Sequence, residues 1–458
     1  MSNHIYEDFI KNSQTVIHNG RNNTIAQVVH EQYKSVLKNA ASHYKKYDLA
    51  KHRAFFAKNK VLHDLDNYII DFERNFTENG GKLLYAEDEE NALKEVLKIL
   101  KNTNSKNILL SNSLTIEEIG LQKFFEEKNK EYTETEWNKY IGQLNETPRN
   151  KFNYPILTLP IEKALKIIET KFSLNDIDMP SILDFVKKNF INKANQEAIS
   201  ITGANFLVAD CGGVALCENQ GNIAIDYSFP TTHIVVVGID KLIPTLQDLE
   251  LFVSLLSTHS AGKEFPYNQS LLLGPKRANE IDGPSQMYVI LIDNGRSEAL
   301  RHLKLNKTFA CIHCGACSAV CPVYKYIGYD SEKTGYQSPI ENIKAPFTYG
   351  FSYTSHLSYA CTLCGKCSEV CPVSIPLPEL ILQNRKLSAE KSYFTSIDSH
   401  TIKKMKKMFL KRKNLESTYT RFILKHKFKN MYGNQRVFPD FKKKSFNMLY
   451  KEINGDSQ

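Results

Sequence analysis

Eight of the ten cysteines fall within 61 residues, as CIHCGACSAVCP from Cys311 to Pro322 and CTLCGKCSEVCP from Cys361 to Pro372. Both runs read C-x2-C-x2-C-x3-C-P, an internal repeat with identical cysteine spacing. With this spacing, three thiolates of a run hold one [4Fe-4S] cluster while the fourth reaches across to the other cluster. Two clusters are therefore expected. The first would be held by Cys311, Cys314, Cys317 and Cys371, and the second by Cys361, Cys364, Cys367 and Cys321. The chemistry such a pair supports is one-electron transfer.

The spacing has a physical reason, since three thiolates close in sequence let a short loop wrap one cube with its amides toward the sulfurs. Gly315 and Gly365 follow the second cysteine of each run, where a side chain would crowd the cluster and where glycine reaches backbone angles closed to other residues. Pro322 and Pro372 fix φ and remove an amide just past the fourth cysteine, which turns the chain away. The crossing staples the two segments together and ties the folding of this region to cluster insertion. Zinc usually takes two C-x2-C pairs, which leaves the third and fourth cysteines without a role. Disulfides suit a small secreted chain and not this large one. The segment 306–385 is thus expected to be a mainly α-helical, two-cluster ferredoxin-type domain, its 39 residues from Pro322 to Ala360 carrying helices or a partner-facing surface. With eight cysteines filling eight positions, His313 and His356 are expected behind the ligands or facing solvent. Lys366 beside Cys367, against Ala316 beside Cys317, implies unequal cluster potentials.

The elements ahead of the runs must position them. VLHDLDNYIIDFERNF, from Val61, reads as a helix stopped at Asn79-Gly80-Gly81. KLLYA reads as a strand, followed by an acid-opened helix through Leu93, Val96, Leu97 and Leu100, the strand NILLSN, and a helix around Ile116 to Phe125. This alternation predicts a parallel sheet with crossover helices. ISITGANFLVADCGGVALCENQGNIAIDYS, broken at Gly203, Gly212-Gly213 and Gly221-Asn222, predicts hairpins or bent strands. HIVVVGI reads as a buried strand, Leu246 to Leu256 as a helix, and MYVILI as a closing strand. Residues 61–305 are read as one α/β domain with an antiparallel portion. Residues 1–60 read as a polar helical arm with Ile25, Val28, Val29, Tyr33 and Val36 at helical steps. Residues 386–458 read as a basic helical tail. Cys211 and Cys217 are placed in apparent strands as ordinary buried cysteines, with a bend at Gly212-Gly213.

The chain's 458 residues, 42% hydrophobic and 24% charged, have ordinary globular composition, which argues against wholesale disorder. No apolar stretch approaches the ~20 residues of a spanning helix. MSNHIYEDFIKNSQTVIHNG lacks the basic start and apolar middle of a secretory signal, so a cytoplasmic location is expected. Net charge is +9, yet residues 401–450 hold 15 basic and two acidic side chains, so the rest of the chain is net acidic. KKMKKMFLKRK reads first as a solvated helical extension. Its field also suits nucleic acid, an acidic partner or an anionic membrane surface, with nucleic acid not favoured. There is no Walker loop, and GGVALC is no dinucleotide fingerprint.

HDLDNYIIDFERNF, GGKLLYAED, the TIEEI of 115–119, ITGANF, CENQGN, HIVVVGIDKLIPT, GPKRANEIDGP and DNGRS, taken with both cysteine runs, resemble the lactate-utilisation protein B family over about 61–385. The resemblance implies a lactate-utilisation (LUD) domain with an isomerase- and CoA-transferase-like α/β fold, followed by the ferredoxin-type domain. It implies an iron-sulfur electron-transfer subunit of an L-lactate oxidation system yielding pyruvate. Its partners would be a cysteine-rich subunit and a second LUD protein, with the electron acceptor unspecified. The alternative is a self-sufficient LUD-domain oxidoreductase acting on another hydroxy acid or a phosphorylated substrate. ETEWNKYIGQL departs from the Leu-Gly-Glu expected of relatives, and Cys211 stands where a small hydroxyl residue is expected. Asp282-Gly283-Pro284 and Asp293-Asn294-Gly295-Arg296 admit two readings. Either they line a pocket, Arg296 pairing a carboxylate or phosphate, or they are turns with Arg296 in a structural ion pair, the reading favoured here. Asn205 and Glu218 admit the same two, and no catalytic residue is assigned.

Overall fold

A computed structural model of the chain describes residues 2–18, 31, 33–103, 107–111, 113–145, 161–174, 178–195, 198–302 and 304–391, and in the tail 403, 406–407, 409–410, 419, 422–426 and 444–454. Ile25, Val28 and Val29, and most of the basic stretch, lie outside the described residues.

The apolar runs build a six-stranded sheet in the order β1 (Lys82–Ala86), β10 (Gln286–Ile292), β7 (Thr232–Gly238), β4 (Ile199–Thr202), β2 (Ile108–Leu110) and β3 (Thr133–Glu134). Every pairing is parallel. The central strands β7 and β4 are buried along their whole length. Covered on both faces, β7 carries the continuous apolar run Ile234 to Val237, whereas β4 alternates Ile199 and Ile201 with buried Ser200 and Thr202. On one face Val96, Ile99 and Phe125 pack from the helices Glu89–Asn102 and Leu121–Glu127. The first of these starts where Asp88 accepts from the Asn91 amide at 2.8 Å. On the other face Phe72 and Phe76 pack from the helix Leu65–Glu78.

A second sheet, in the order β8 (Leu242–Ile243), β5 (Phe206–Val208), β6 (Gly213–Glu218) and β9 (Asn268–Leu272), is antiparallel except for the β5–β8 pair. The segment read as hairpins is therefore divided. Ile199–Thr202 joins the parallel sheet, and Asn222–Ser228 is a helix. Glu218 caps that helix, accepting from the Ile223 and Ala224 amides at 2.8 and 2.9 Å, an interaction that apolar spacing does not reveal. Cys211 lies not in a strand but in the short 3-10 turn Ala209–Cys211, which Gly212 ends at φ 64°. The helix read from Val61 is two helices, Tyr47–His63 and Leu65–Glu78, parted at Asp64. The first already contributes buried Ala54, Ala57 and Lys58.

The cysteine runs alternate with the helices Pro322–Ile327, Ser331–Thr334, Pro339–Thr348, Phe351–Ala360 and Leu377–Glu390. The N-terminal helix Ser2–His18 packs on three of these, with the Phe9 and His356 rings 5.0 Å apart. One apolar core joins Phe206, Val208 and Phe252 of the α/β layer to Cys314, Cys367, Cys371 and Val373. Residues Met1–Glu390 form one compact unit and Lys391–Gln458 a second, in which Lys444, just ahead of the helix Phe446–Asn454, pairs with Glu452 of that helix at 2.6 Å. No helix among the described residues is long and apolar enough to cross a membrane.

Gly212 carries a specific load. A Cβ there would stand 2.3 Å from the Phe76 amide nitrogen, in a backbone conformation side chains rarely adopt. Gly212→Ala should cost about 1–3 kcal/mol or more. This will appear as a lower urea midpoint at unchanged slope; an unmoved midpoint contradicts the packing described.

Candidate metal centres and the cleft beside them

The two runs share one local backbone. The residue before the second cysteine is left-handed in both, His313 at φ 58° and Leu363 at φ 57°, and so is the glycine after it, Gly315 at 78° and Gly365 at 84°. The first bend turns the His313 amide back to donate to Cys311 Sγ at 3.3 Å, and the Leu363 amide to Cys361 Sγ at 3.3 Å. A one-turn helix follows each glycine, Ala316–Ala319 and Lys366–Glu369. A Cβ on Gly365 would meet no protein atom within 4 Å, so its positive φ is what calls for glycine within the protein. Cys321 caps the helix Pro322–Ile327, accepting from the Tyr324 amide at 3.5 Å, with the Tyr336 hydroxyl also 3.5 Å from its sulfur. Cys371 Sγ accepts from the Ile375 amide at 3.4 Å.

Two cavities result. One is bordered by Cys311, Cys314, Cys317 and Cys371, the other by Cys361, Cys364, Cys367 and Cys321. Each meets three cysteines of one run and the last of the other. Among the described residues no three His, Cys, Asp or Glu side chains gather as a single-ion site. Soft sulfurs spread around a space, with amides aimed at several of them, fit a polynuclear cluster. Burial first, and neighbouring sulfur charge or hydrogen bonding second, shift the thiols. Cys371 is pushed up to about 11 and Cys367 to about 12, while Cys317 lies well above its ordinary value. As thiolates they need cationic iron to balance them, so loading must release protons. The two sets differ in access: Cys314 is buried, whereas Cys364 is exposed with Thr362 and Lys366 beside it.

Beside the first cavity, and sharing Leu114, His313, Gln337 and Glu341 with it, a polar cleft opens at the carboxyl ends of β2, β7 and β10. At its base Asp240, 1% exposed, accepts from Arg296 Nε at 2.6 Å and faces His313 Nε2 at 3.5 Å and Lys344 Nζ at 3.6 Å. Burial pushes Asp240 up, but Arg296 and then Lys344 hold it well below the usual carboxylate range. The remaining two guanidinium nitrogens fork onto Glu118, both at 2.8 Å. Lys344 donates to His313 Nε2 at 3.1 Å. Burial, with Lys241 and Lys344 alongside, keeps that imidazole neutral. Lys58 donates to the Asp240 and Leu242 carbonyls.

Arg296 is thus a structural ion pair that also lines the cleft. His313 and His356 are both largely buried, neither facing solvent freely. Asp293 caps its own helix through Ser297, and the Asp282-Gly283-Pro284 turn is pinned by Gly283 N donating to Ser228 O at 2.8 Å, outside the cleft lining. Asn205 accepts from the Cys217 amide at 2.7 Å, and Glu218 caps a helix, so both hold backbone. Burial raises both outlying thiols, Cys217 to about 12, and each packs against apolar core. Glu118, Asp240, Lys241 and Lys344 were not singled out from sequence. The available signal was the Asp-Lys pair interrupting HIVVVGIDKLIPT at a strand's carboxyl end, where open α/β sheets place their ligands.

A family model described as LUD domain matches residues 69–292, and one described as 4Fe-4S dicluster domain, which fits two [4Fe-4S] clusters, matches 307–375. The chain is 31% identical over 352 residues to "Uncharacterized electron transport protein YkgF" of Escherichia coli (strain K12), covering 77% of this chain and 74% of that one. It is 34% identical over 346 residues to "Lactate utilization protein B" of Macrococcus caseolyticus (strain JCSC5402), covering 75% and 72%. A protein of the same name from Bacillus subtilis (strain 168) is 33% identical over 333 residues, covering 72% and 69%.

Arg296→Met leaves buried Asp240 and part-buried Glu118 without their shared guanidinium and should cost about 3–5 kcal/mol in denaturant unfolding. Arg296→Lys should recover only part of it, because one ammonium cannot fork to Glu118 while serving Asp240. Asp240's contribution should be present above about pH 4, its unfolded range, and fade as pH falls through its lower folded value. Wild-type stability in Arg296→Met would contradict this account.

Proposed function

This chain belongs to the lactate utilization protein B family, and from that premise we propose that it is the iron-sulfur electron-transfer subunit of an L-lactate oxidation system. The observation that carries the reading is the pair of cavities, each bordered by four cysteines drawn three and one from the two runs. On this reading Cys311, Cys314, Cys317 and Cys371 hold one cluster, and Cys361, Cys364, Cys367 and Cys321 the other. Each bound cluster supplies a site that accepts and releases one electron. The chain's own contribution is to fix eight sulfurs and to aim the amides of His313, Leu363, Tyr324 and Ile375 at four of them.

The unequal burial supports a division of labour. The inner set lies under the α/β layer beside the polar cleft, and the outer set reaches the surface at Cys364. Exchange with partner proteins, a cysteine-rich subunit and a second LUD protein, is assigned to the Cys364 edge. The LUD domain is assigned residues 61–305 and the cluster domain 306–385, the two sharing one core.

Anaerobically purified protein should contain eight irons and eight sulfides per chain at full loading, about the content of two cubes. Cys371→Ser should disturb the paramagnetic signal of the cluster held by Cys311, Cys314 and Cys317. An effect confined to the Cys361 to Cys367 cluster refutes the crossing, and iron-free, colourless protein that still relays electrons refutes the function.

A further inference from the structure

The cleft beside the inner cysteines has a feature that its ion pairs leave unused. Lys241 lines it and is 9% exposed, yet among the described residues its ammonium makes no hydrogen bond or ion pair. The surrounding charges are otherwise committed: Arg296 to Glu118 and Asp240, Lys344 to Asp240 and Glu341, and Lys139 to Glu117. Burial brings Lys241 down to about 8, against the pull of Asp240, so it remains charged at neutral pH. An ammonium with little access to water and no protein partner is costly to hold, and a single bound anion would relieve that cost.

We propose that this cleft binds one small organic monocarboxylate, its carboxylate on Lys241 and its carbon skeleton against Phe309 and Phe347. The two rings line the same space. Glu341 and His313 border the same space, their Oε1 and Nδ1 atoms 3.6 Å apart and turned away from solvent. The cleft leaves about 40 Å³ for the centres of water-sized spheres, room for about three waters or one small acid and not for a larger ligand. One uncommitted cation matches a monoanion better than a phosphate dianion. Its location, sharing His313 and Glu341 with the Cys311 cavity, places the ligand next to the inner cluster. No bond is made or broken in this proposal; the site is one of binding.

The test uses full-length protein with its clusters, titrated calorimetrically with pyruvate and separately with L-lactate, with 1,2-propanediol as the uncharged control. One acid per chain should bind and the diol should not. Lys241→Met should weaken binding about ten-fold or more at unchanged iron and sulfide content, and Lys241→Arg should retain part of the affinity. If Lys241→Met fails to load iron, Lys241→Gln serves in its place, and the wild-type titration decides alone if both fail. Absence of saturable binding of both acids to wild type overturns the proposal, and so does unaltered affinity in the loaded variant. A shift in cluster midpoint potential in Lys241→Met, with no acid bound by either protein, assigns Lys241 to balancing cluster charge and likewise overturns it. The readout is binding, so a failure of the electron-relay reading would leave this result standing.

Discussion

The Asp240 carboxylate is the node on which the arrangement turns. It sits just past β7 and draws in Arg296 from beyond β10, Lys344 from the helix Pro339–Thr348 and His313 from within the first cysteine run. A carboxylate so buried is tolerable only when cations reach it, and removing Arg296 or Lys344 leaves its charge poorly balanced in low dielectric. Four segments distant in sequence must therefore arrive together. Two glycines mark how tightly they do. A Cβ on Gly238 would lie 2.4 Å from Asp240 Oδ1, and one on Gly295, at φ 82°, 2.3 Å from the Phe347 carbonyl oxygen. The orientation of the inner cysteines is thereby locked to the carboxyl edge of the parallel sheet.

Against that lock, the two runs diverge. Their backbones repeat the same pair of left-handed residues and the same amide-to-sulfur contact, so the local fold follows from the C-x2-C-x2-C spacing in both. Their surroundings do not repeat. Cys311 lies near buried Lys344, Lys241 and Glu341, whereas the second run has Arg385 donating to the Cys361 carbonyl and Lys366 out in solvent. Charges held in a protein interior act more strongly than exposed ones. The difference in field between the two sites therefore comes chiefly from the buried cations, not from the Lys366 and Ala316 contrast visible in sequence.

What could be read from sequence was what local chemistry dictates. The cysteine repeat, the strands KLLYA, HIVVVGI and MYVILI, the Thr245-capped helix and the Gly212 bend each follow from spacing or from a residue's own conformational limits. What escaped depended on long-range partners. IAIDYS reads as strand until Glu218 caps it as helix, and Ala54 and Ala57 look like part of a polar arm until the helix Tyr47–His63 finds the shared core. Asp240 and Lys241 follow the strand HIVVVGI, and nothing local announces that Arg296, Lys344 and Glu118 will converge there. Arg296 itself was read as an ion pair on turn chemistry alone, and its partners are the part that no pattern supplies.

The shared core carries the argument one step further. In a small autonomous cluster domain, loading iron organises only the loops that bind it. Here Cys314, Cys367 and Cys371 belong to the same apolar cluster as Phe206, Val208 and Phe252, and Tyr33 donates both to the Cys314 carbonyl and to that of His259 on the helix Leu246–Ser260. Thiols raised by burial must lose their protons to bind metal, so the free energy of loading enters a core that the second sheet also needs. Cluster insertion should therefore also stabilise the packing of the second sheet through this shared core. The same continuity lets a change in the cleft be felt at the inner sulfurs without any moving part, through charges separated only by His313 and Glu341.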